Sequence, residues 1–445
     1  MARITGTVGK NGYEFYADLV EMQLDDYIAT NTTIVKYDVY IKNNGTRFNS
    51  NNWTKYIKVD SETIYEKTGE NINTTTVGFS EALAIMSGTI SVKHDDDGTK
   101  KIKFEAGLKK STSYSSYDPG ECKLSGELEL TNIPRKSSVS ASGSGYIGET
   151  LTIYVASADT TNLRHTLKYT FGDLKDKTIA TGVVSQYGWT LPNDLYAQIP
   201  DDPEGKGVIT CETYAGTTLV GTTTCEFTAR VSETSSKPTT VIEVTDTNDT
   251  CYNLTGSRKK LIKYYSNVKV TLTANARNSA KITDSAVYRD DVKGNASTPN
   301  TATASISHTF NKVETSSFKG MCTDSRGFTA TNKAAGITIV DYVKLTANPE
   351  IFRPEETGSE IKMTITGNYF NGSFGSKSNS LTLKYRYKEK SATTWGDYIT
   401  LTPTISGNGY SITTSVGTNF DYQKSYDFVV MATDSLASVA QTSYI

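Results

Sequence analysis

The chain of 445 residues has little of what most enzymes work with: three histidines, five cysteines and three tryptophans. His94, His165 and His308 stand far apart, so a Ser-His-Asp or Cys-His arrangement would have to assemble across distant segments. There is no G-x-S-x-G elbow, no phosphate loop and no H-E-x-x-H pair. The adjacent carboxylates Asp201-Asp202 and Glu355-Glu356 sit beside Pro203 and Pro354, which marks them as loops. Neighbours on a strand would in any case point to opposite faces, a poor geometry for an acid/base couple. The expectation is a non-enzymatic protein without a cofactor. A glycan hydrolase is the rival, because paired carboxylates need no linear motif.

The cysteines are Cys122, Cys211, Cys225, Cys251 and Cys322: odd in number, widely spaced and without a Cys-x-x-Cys pair. That argues against structural zinc and against a disulfide framework. Buried free thiols are expected, with one bridge between Cys211 and Cys225 left open. No segment approaches the roughly 20 apolar residues of a membrane span, and the opening MARITGTVGKNGYEF lacks the apolar core of a secretory signal. The expectation is a protein used without export, or a processed product, with no membrane insertion. Basic and acidic residues number 46 and 48, a net charge of −2, and the lysines are scattered. Nucleic-acid binding needs a basic stripe to displace counterions, so none is expected.

What is abundant is Thr, Ser, Gly, Asn and Tyr, the last 28 times. Thr and Tyr favour strands; Gly, Asn and Ser favour turns. The stretch 362–388 shows the pattern. Met363 and Ile365 alternate with lysine and threonine, and Leu381, Leu383, Tyr385 and Tyr387 alternate with Thr382, Lys384, Arg386 and Lys388. A period of two signals a strand with one face buried. Similar strands are predicted over 33–42, 88–93, 100–108, 124–130, 151–155, 166–171, 208–214 and 219–227. Asp97-Gly98 between two of them predicts a hairpin. The acidic turn around Asp95 leaves a calcium ion open, although it lacks the D-x-D-x-D-G spacing. Only two short helices are predicted, over 80–86 and 194–198.

An all-β chain of tandem β-sandwiches follows, with domains at 1–135, 136–236, 237–341 and 342–445. A repeat supports the last three divisions. Cys211, Cys322 and Ala432 each end an alternating strand before a polar reversal, and Thr-Asp-Ser recurs at 323–325 and 433–435. A period near 100 residues fits immunoglobulin- or fibronectin-like sandwiches. In the fourth, the aromatics around Tyr385, Trp395, Tyr398 and Phe428 are expected to form the core. The first domain shares no such landmark and is expected to be a separate sandwich type.

Aromatics among Asn, Ser and Gly are candidates for contact with a ligand or partner. They are Trp53 and Tyr56, Tyr114 and Tyr117 in the loop 110–120, and Tyr369, Phe370 and Phe374 in the loop 368–380. The alternative for each is packing on its own sandwich.

The segments TLPNDLYAQIP (190–200), ITCETYAGTTLVGTTT (209–224), CTDSRGFT (322–329) and IFRPEETGSEIKMTITGNYFNGSFGSKSNSLTLKYRYKE (351–389) resemble the minor structural proteins of long-tailed bacteriophages infecting Gram-positive bacteria. The resemblance implies a virion protein of the tail or tail tip, assembled in the host cytoplasm beside other tail proteins. It brings no catalytic motif. Closed symmetry is usual for repeated subunits, and three copies are expected. Two alternatives remain: a host receptor-binding protein recognising cell-wall saccharide, and a bacterial surface adhesin.

Overall fold

The computed structural model describes residues 1–10 and 12–445. They form two compact units, one of Met1–Leu195 with Gly205–Arg230 and one of Tyr196–Glu204 with Val231–Ile445. Strands dominate both, arranged as paired sheets.

The first unit opens with nine strands: β1 (Ala2–Thr5), β2 (Thr7–Val8), β3 (Tyr13–Met22), β4 (Thr32–Asn43), β5 (Asn49–Val59), β6 (Glu62–Asn73), β7 (Ala82–Lys93), β8 (Lys101–Lys110) and β9 (Cys122–Glu129). One sheet has the order β1-β3-β4-β7 and the other β2-β9-β8-β5-β6. Alternation decides which face of each strand is dry. In β8, Ile102, Phe104, Ala106 and Leu108 point into the core, while Lys103, Glu105 and Lys109 point out.

Two local expectations fail here. Residues 80–86 belong largely to strand β7, not to a helix, because ladder pairing with Val39–Lys42 of β4 outweighs the helix preference of Glu-Ala-Leu-Ala. The turn at Asp97-Gly98 does not close a hairpin: β7 pairs with β4, whereas β8 pairs with β5 and β9 in the opposite sheet. The chain crosses layers there, pinned by buried His94. Its Nδ1 shares a hydrogen bond with the Gly98 carbonyl at 2.9 Å and its Nε2 one with Thr33 Oγ1 at 2.8 Å. Gly98 has φ +86°, and a Cβ there would strike the Ile133 carbonyl.

The second sandwich of this unit sets a three-stranded sheet (Ser138–Ala141, Thr150–Ala156, Gln186–Thr190) against a five-stranded one (Ser144–Tyr146, Thr218–Arg230, Glu204–Ala215, Leu163–Phe171, Leu174–Val183). Ser144–Tyr146 runs parallel to Thr218–Arg230, so the first strand of this sandwich divides between the two sheets. Trp189 packs against Tyr169 and Phe227 at its centre. Asn193–Gln198 is a short 3-10 helix, where the sequence predicts a helical turn after Pro192.

In the second unit, Thr239–Asp246, Val268–Asn275 and Thr303–Phe310 face Val292–Ser297, Ile282–Arg289, Phe318–Asp324 and Thr329–Lys333. Thr346–Phe352, Ile361–Asn368, Gly409–Gly417 and Thr404–Ser406 face Ile399–Leu401, Thr382–Glu389, Tyr426–Thr433 and Ser438–Tyr444. Both are antiparallel two-sheet sandwiches of the immunoglobulin or fibronectin kind, the last with one more strand, Thr404–Ser406, on its first sheet. The repeat read in the sequence is one position of one strand. Cys211, Cys322 and Ala432 are all buried, opposite Leu167, Ser285 and Leu383 respectively. The repeated aspartates turn the chain after that strand. Asp324 Oδ1 accepts the backbone N–H groups of Arg326 and Phe328, and Asp434 Oδ1 those of Leu436 and Ala437.

The core of the last sandwich includes Tyr385, Tyr426 and Phe428 but not Trp395 or Tyr398. Those two lie outside, with the Arg386 guanidinium 5.0 and 4.7 Å from their ring centroids. They come from the loop after Thr382–Glu389, and the cations on that strand's outer face hold them.

Candidate functional site

The outward face of the sheet β2-β9-β8-β5-β6 carries a groove of about 590 Å³. Its floor is Tyr56. On β5, alternation points Trp53 and Ile57 inward and Tyr56 out. Tyr56 stands opposite Gly107 of β8. A Cβ at Gly107 would come within 2.4 Å of the ring's Cζ, so the phenol lies flat across the strand where no side chain rises. Lys109 Nζ is 5.5 Å and Lys58 Nζ 6.0 Å from the ring centroid.

Charge around the ring is balanced. Lys58, Lys109 and Lys123 line the groove with Glu66, Glu105 and Glu121. Lys123 pairs with Glu121 at 2.8 Å, and Lys103, just outside, pairs with Glu105 at 2.6 Å. The hydrogen bond from Lys103 holds the Glu105 carboxyl below its usual range. Burial, helped by Glu121 and Glu105 against Lys123, pushes the Tyr56 phenol up, so it stays neutral at physiological pH. Thr5, Thr7, Thr63 and Ser125 add hydroxyls to the wall. The result is a half-buried aromatic plate with donors and acceptors on all sides and no net charge.

The other expected contact residues lie elsewhere. Trp53 is fully buried; its indole N–H donates to Ser50 Oγ at 3.0 Å, and its ring meets Phe48 and Tyr114. Tyr114 is half-buried as a lid on Trp53, its hydroxyl accepting the Lys110 N–H. Tyr117 is 65% exposed, and its carbonyl accepts a hydrogen bond from Tyr13. In the second unit, Tyr369 and Phe374 are buried and Phe370 is partly buried. Phe374 packs with Cys251, Leu254, Ile262, Val340 and Tyr342, sealing the seam between the two sandwiches of that unit. Trp53, Tyr369 and Phe374 are therefore corrected from surface to interior residues, because a non-local neighbour covers each ring. Tyr56 and Tyr117 keep open faces. Sequence reasoning missed Gly107 and the charged frame; the signal was a glycine interrupting an otherwise regular strand.

The residue types that suggest chemistry elsewhere are structurally engaged. His165 bonds to Ser137 Oγ and the Val183 carbonyl, and His308 packs edge-on against Phe310. The five cysteines are free, including Cys211 and Cys225, and burial pushes the Cys122 thiol up to about 12 and Cys211 up to about 11. At the acidic turn, Asp95 pairs with Lys100, and Asp97 caps Thr99. Among the described residues, no group of three or more His, Cys, Asp or Glu side chains could hold a metal ion, and no helix is long and apolar enough to cross a membrane.

The model of a family described as "Siphovirus protein of unknown function (DUF859)" matches residues 10–443. The chain belongs to this siphovirus family. Its kinship is thus with long-tailed phages, as the resemblance implied. No curated protein matches it. Among solved structures, this siphovirus chain is similar to the fibronectin(III)-like modules of CbhA from Clostridium thermocellum, at 11% identity and a TM-score of 0.17, over 46% of this chain and 93% of that one. It is also similar to dimeric latent PorU from Porphyromonas gingivalis, at 11% identity and a TM-score of 0.18, over 74% and 35% respectively. A third is the β-glucuronidase of Parabacteroides merdae, at 7% identity and a TM-score of 0.19, over 97% and 77%.

Proposed function

We propose that the protein is a non-enzymatic structural component of the phage tail or tail tip. Membership of a siphovirus family across nearly the whole chain carries this reading. The architecture supports it. The sandwiches have apolar cores of their own, and the histidines and thiols that could do chemistry are engaged or buried as packing. In the second unit the seam is stiffened by Phe374 and by Tyr342, whose hydroxyl donates to Asp434 Oδ2 at 2.8 Å. A buried apolar seam resists bending, which suits a part that bears load between a virion and a cell. The four sequence-defined domains serve as successive modules, the first turned toward neighbouring tail proteins. Three copies assemble with closed symmetry on a phage of Gram-positive bacteria.

An antibody to this chain, applied to purified virions and viewed by electron microscopy, is expected to label the tail or its distal end. Virions that carry no label, while infected cells contain the protein, would overturn the reading. Sedimentation of the purified chain is expected to show a trimer.

A further inference from the structure

The geometry of the first sandwich points to a saccharide site: we infer that the Tyr56 groove binds a neutral pyranose ring of a polysaccharide. This rests on the groove alone and goes beyond the scaffold reading above. The argument is one of chemical matching. A pyranose presents axial C–H bonds on one face and hydroxyls around its edge. Tyr56 offers a flat, electron-rich face held level by the bare backbone of Gly107, with no side chain to prop the ring upright. Around that plate, hydroxyls, ammonium groups and carboxylates stand at the edge, where sugar hydroxyls need both donors and acceptors.

Charge selects among ligands with flat faces. Three lysines are offset by three glutamates, so a polyanion gains nothing on entering. A nucleic-acid strand or a phosphate-rich polymer would need an excess of cations that the groove does not have. An apolar peptide or lipid would bury the Lys123–Glu121 pair without replacing its water. A neutral polyol can hydrogen-bond to these charged groups as water does. The plate sits on a paired strand between two neighbours, so its geometry is set before any ligand arrives and little order is lost on binding.

The test uses the full-length protein on an array of immobilised neutral hexose and N-acetylhexosamine oligosaccharides, with acidic glycans and heparin as separate spots. Retention on at least one neutral pyranose oligosaccharide is expected. Tyr56→Ala should weaken it by about tenfold or more, the scale of one lost ring contact. Tyr56→Phe keeps the plate and should stay within about threefold of the native affinity. Gly107→Ala, which lifts the ring without removing it, should weaken binding while circular dichroism and the thermal midpoint show the fold intact. Tyr117→Ala, on the exposed loop, should bind as the native protein does.

A blank array would overturn the inference, as would binding confined to acidic glycans, or glycan binding that survives both Tyr56→Ala and Gly107→Ala. Capture of a virion protein through Tyr56, with no glycan retained, would assign the groove to assembly and overturn it as well. Failure here leaves the scaffold reading standing if virions carry the chain. Glycan binding by a chain absent from virions would do the reverse.

Discussion

The loops 111–121 and 369–381 are built from the same residues, Ser, Gly, Asn and a few aromatics, and meet opposite fates. In the first unit, loop 111–121 is ordered by electrostatics. Asp118, fully buried, accepts from Lys110 Nζ at 2.7 Å, Ser50 Oγ at 2.9 Å and the Ser115 N–H at 2.9 Å. That knot fixes the loop ends, and Tyr117 is left outside. In the second unit, loop 369–381 is ordered by apolar burial. Phe374 and Phe370 enter a seam with Tyr342, and the Leu254 carbonyl accepts the N–H groups of Ser376 and Lys377. Composition is the same; the difference is whether another sandwich of the same unit supplies an apolar wall. A polar loop with aromatics is thus not by itself a contact surface.

Five changes test that contrast. The largest effect is expected for Phe374→Ala, which leaves a ring-sized void in a fully buried cluster. It should cost about 3–5 kcal/mol, seen as faster hydrogen exchange around Leu254, Ile262 and Val340. An unchanged exchange pattern would mean that the seam is not apolar-driven. Asp118→Ala comes next. It strands the buried Lys110 ammonium and should cost about 3 kcal/mol in denaturant unfolding of the first sandwich.

Acid reports on the same knot. Burial raises the Asp118 pKa, but the hydrogen bonds from Lys110, Ser115 and Ser50 outweigh it, and the carboxyl ends below its ordinary value. A depressed carboxyl stabilises the fold fully above its unfolded value of about 3.9, and loses that contribution as pH falls through the folded value. Asp118→Asn should therefore flatten the acid limb of the stability profile below about pH 4; an unchanged limb would show that the knot does not depend on charge. Tyr342→Phe deletes one hydroxyl while Asp434 Oδ2 keeps Asn379, at a cost of about 1–2 kcal/mol by thermal unfolding. Tyr117→Ala should shift stability by less than about 0.5 kcal/mol, because its ring is exposed and its one hydrogen bond here is made by the backbone carbonyl. A larger loss would mean that the two loops are less different than they look.

Much of the strand content was legible because alternation is local. The period of two in 33–42 and 100–108 marks the dry face of β4 and β8 without reference to any partner. The repeat through Cys211, Cys322 and Ala432 was legible for a related reason: the position packs against the facing strand and turns the chain just beyond it. What alternation does not carry is the partner. Asp97-Gly98 has the composition of a hairpin, yet it joins strands of opposite sheets. Residues 80–86 have helix-forming composition, yet β4 recruits them. Trp53 and Tyr56, three residues apart, fall on opposite faces of β5 by alternation alone; which face is covered, and that Gly107 lies beside Tyr56, comes from the partner strands.

The amino-acid sequence by itself determined that this is a β-protein of repeated sandwich modules and near-neutral charge, with few side chains suited to catalysis. Those properties follow from composition and from side-chain direction along a strand, which each segment carries alone. Which aromatic rings remain open was decided only in the tertiary structure. Covering a ring takes atoms from distant parts of the chain, and baring one at Tyr56 took a glycine fifty-one residues further on, brought alongside by the ladder between β5 and β8.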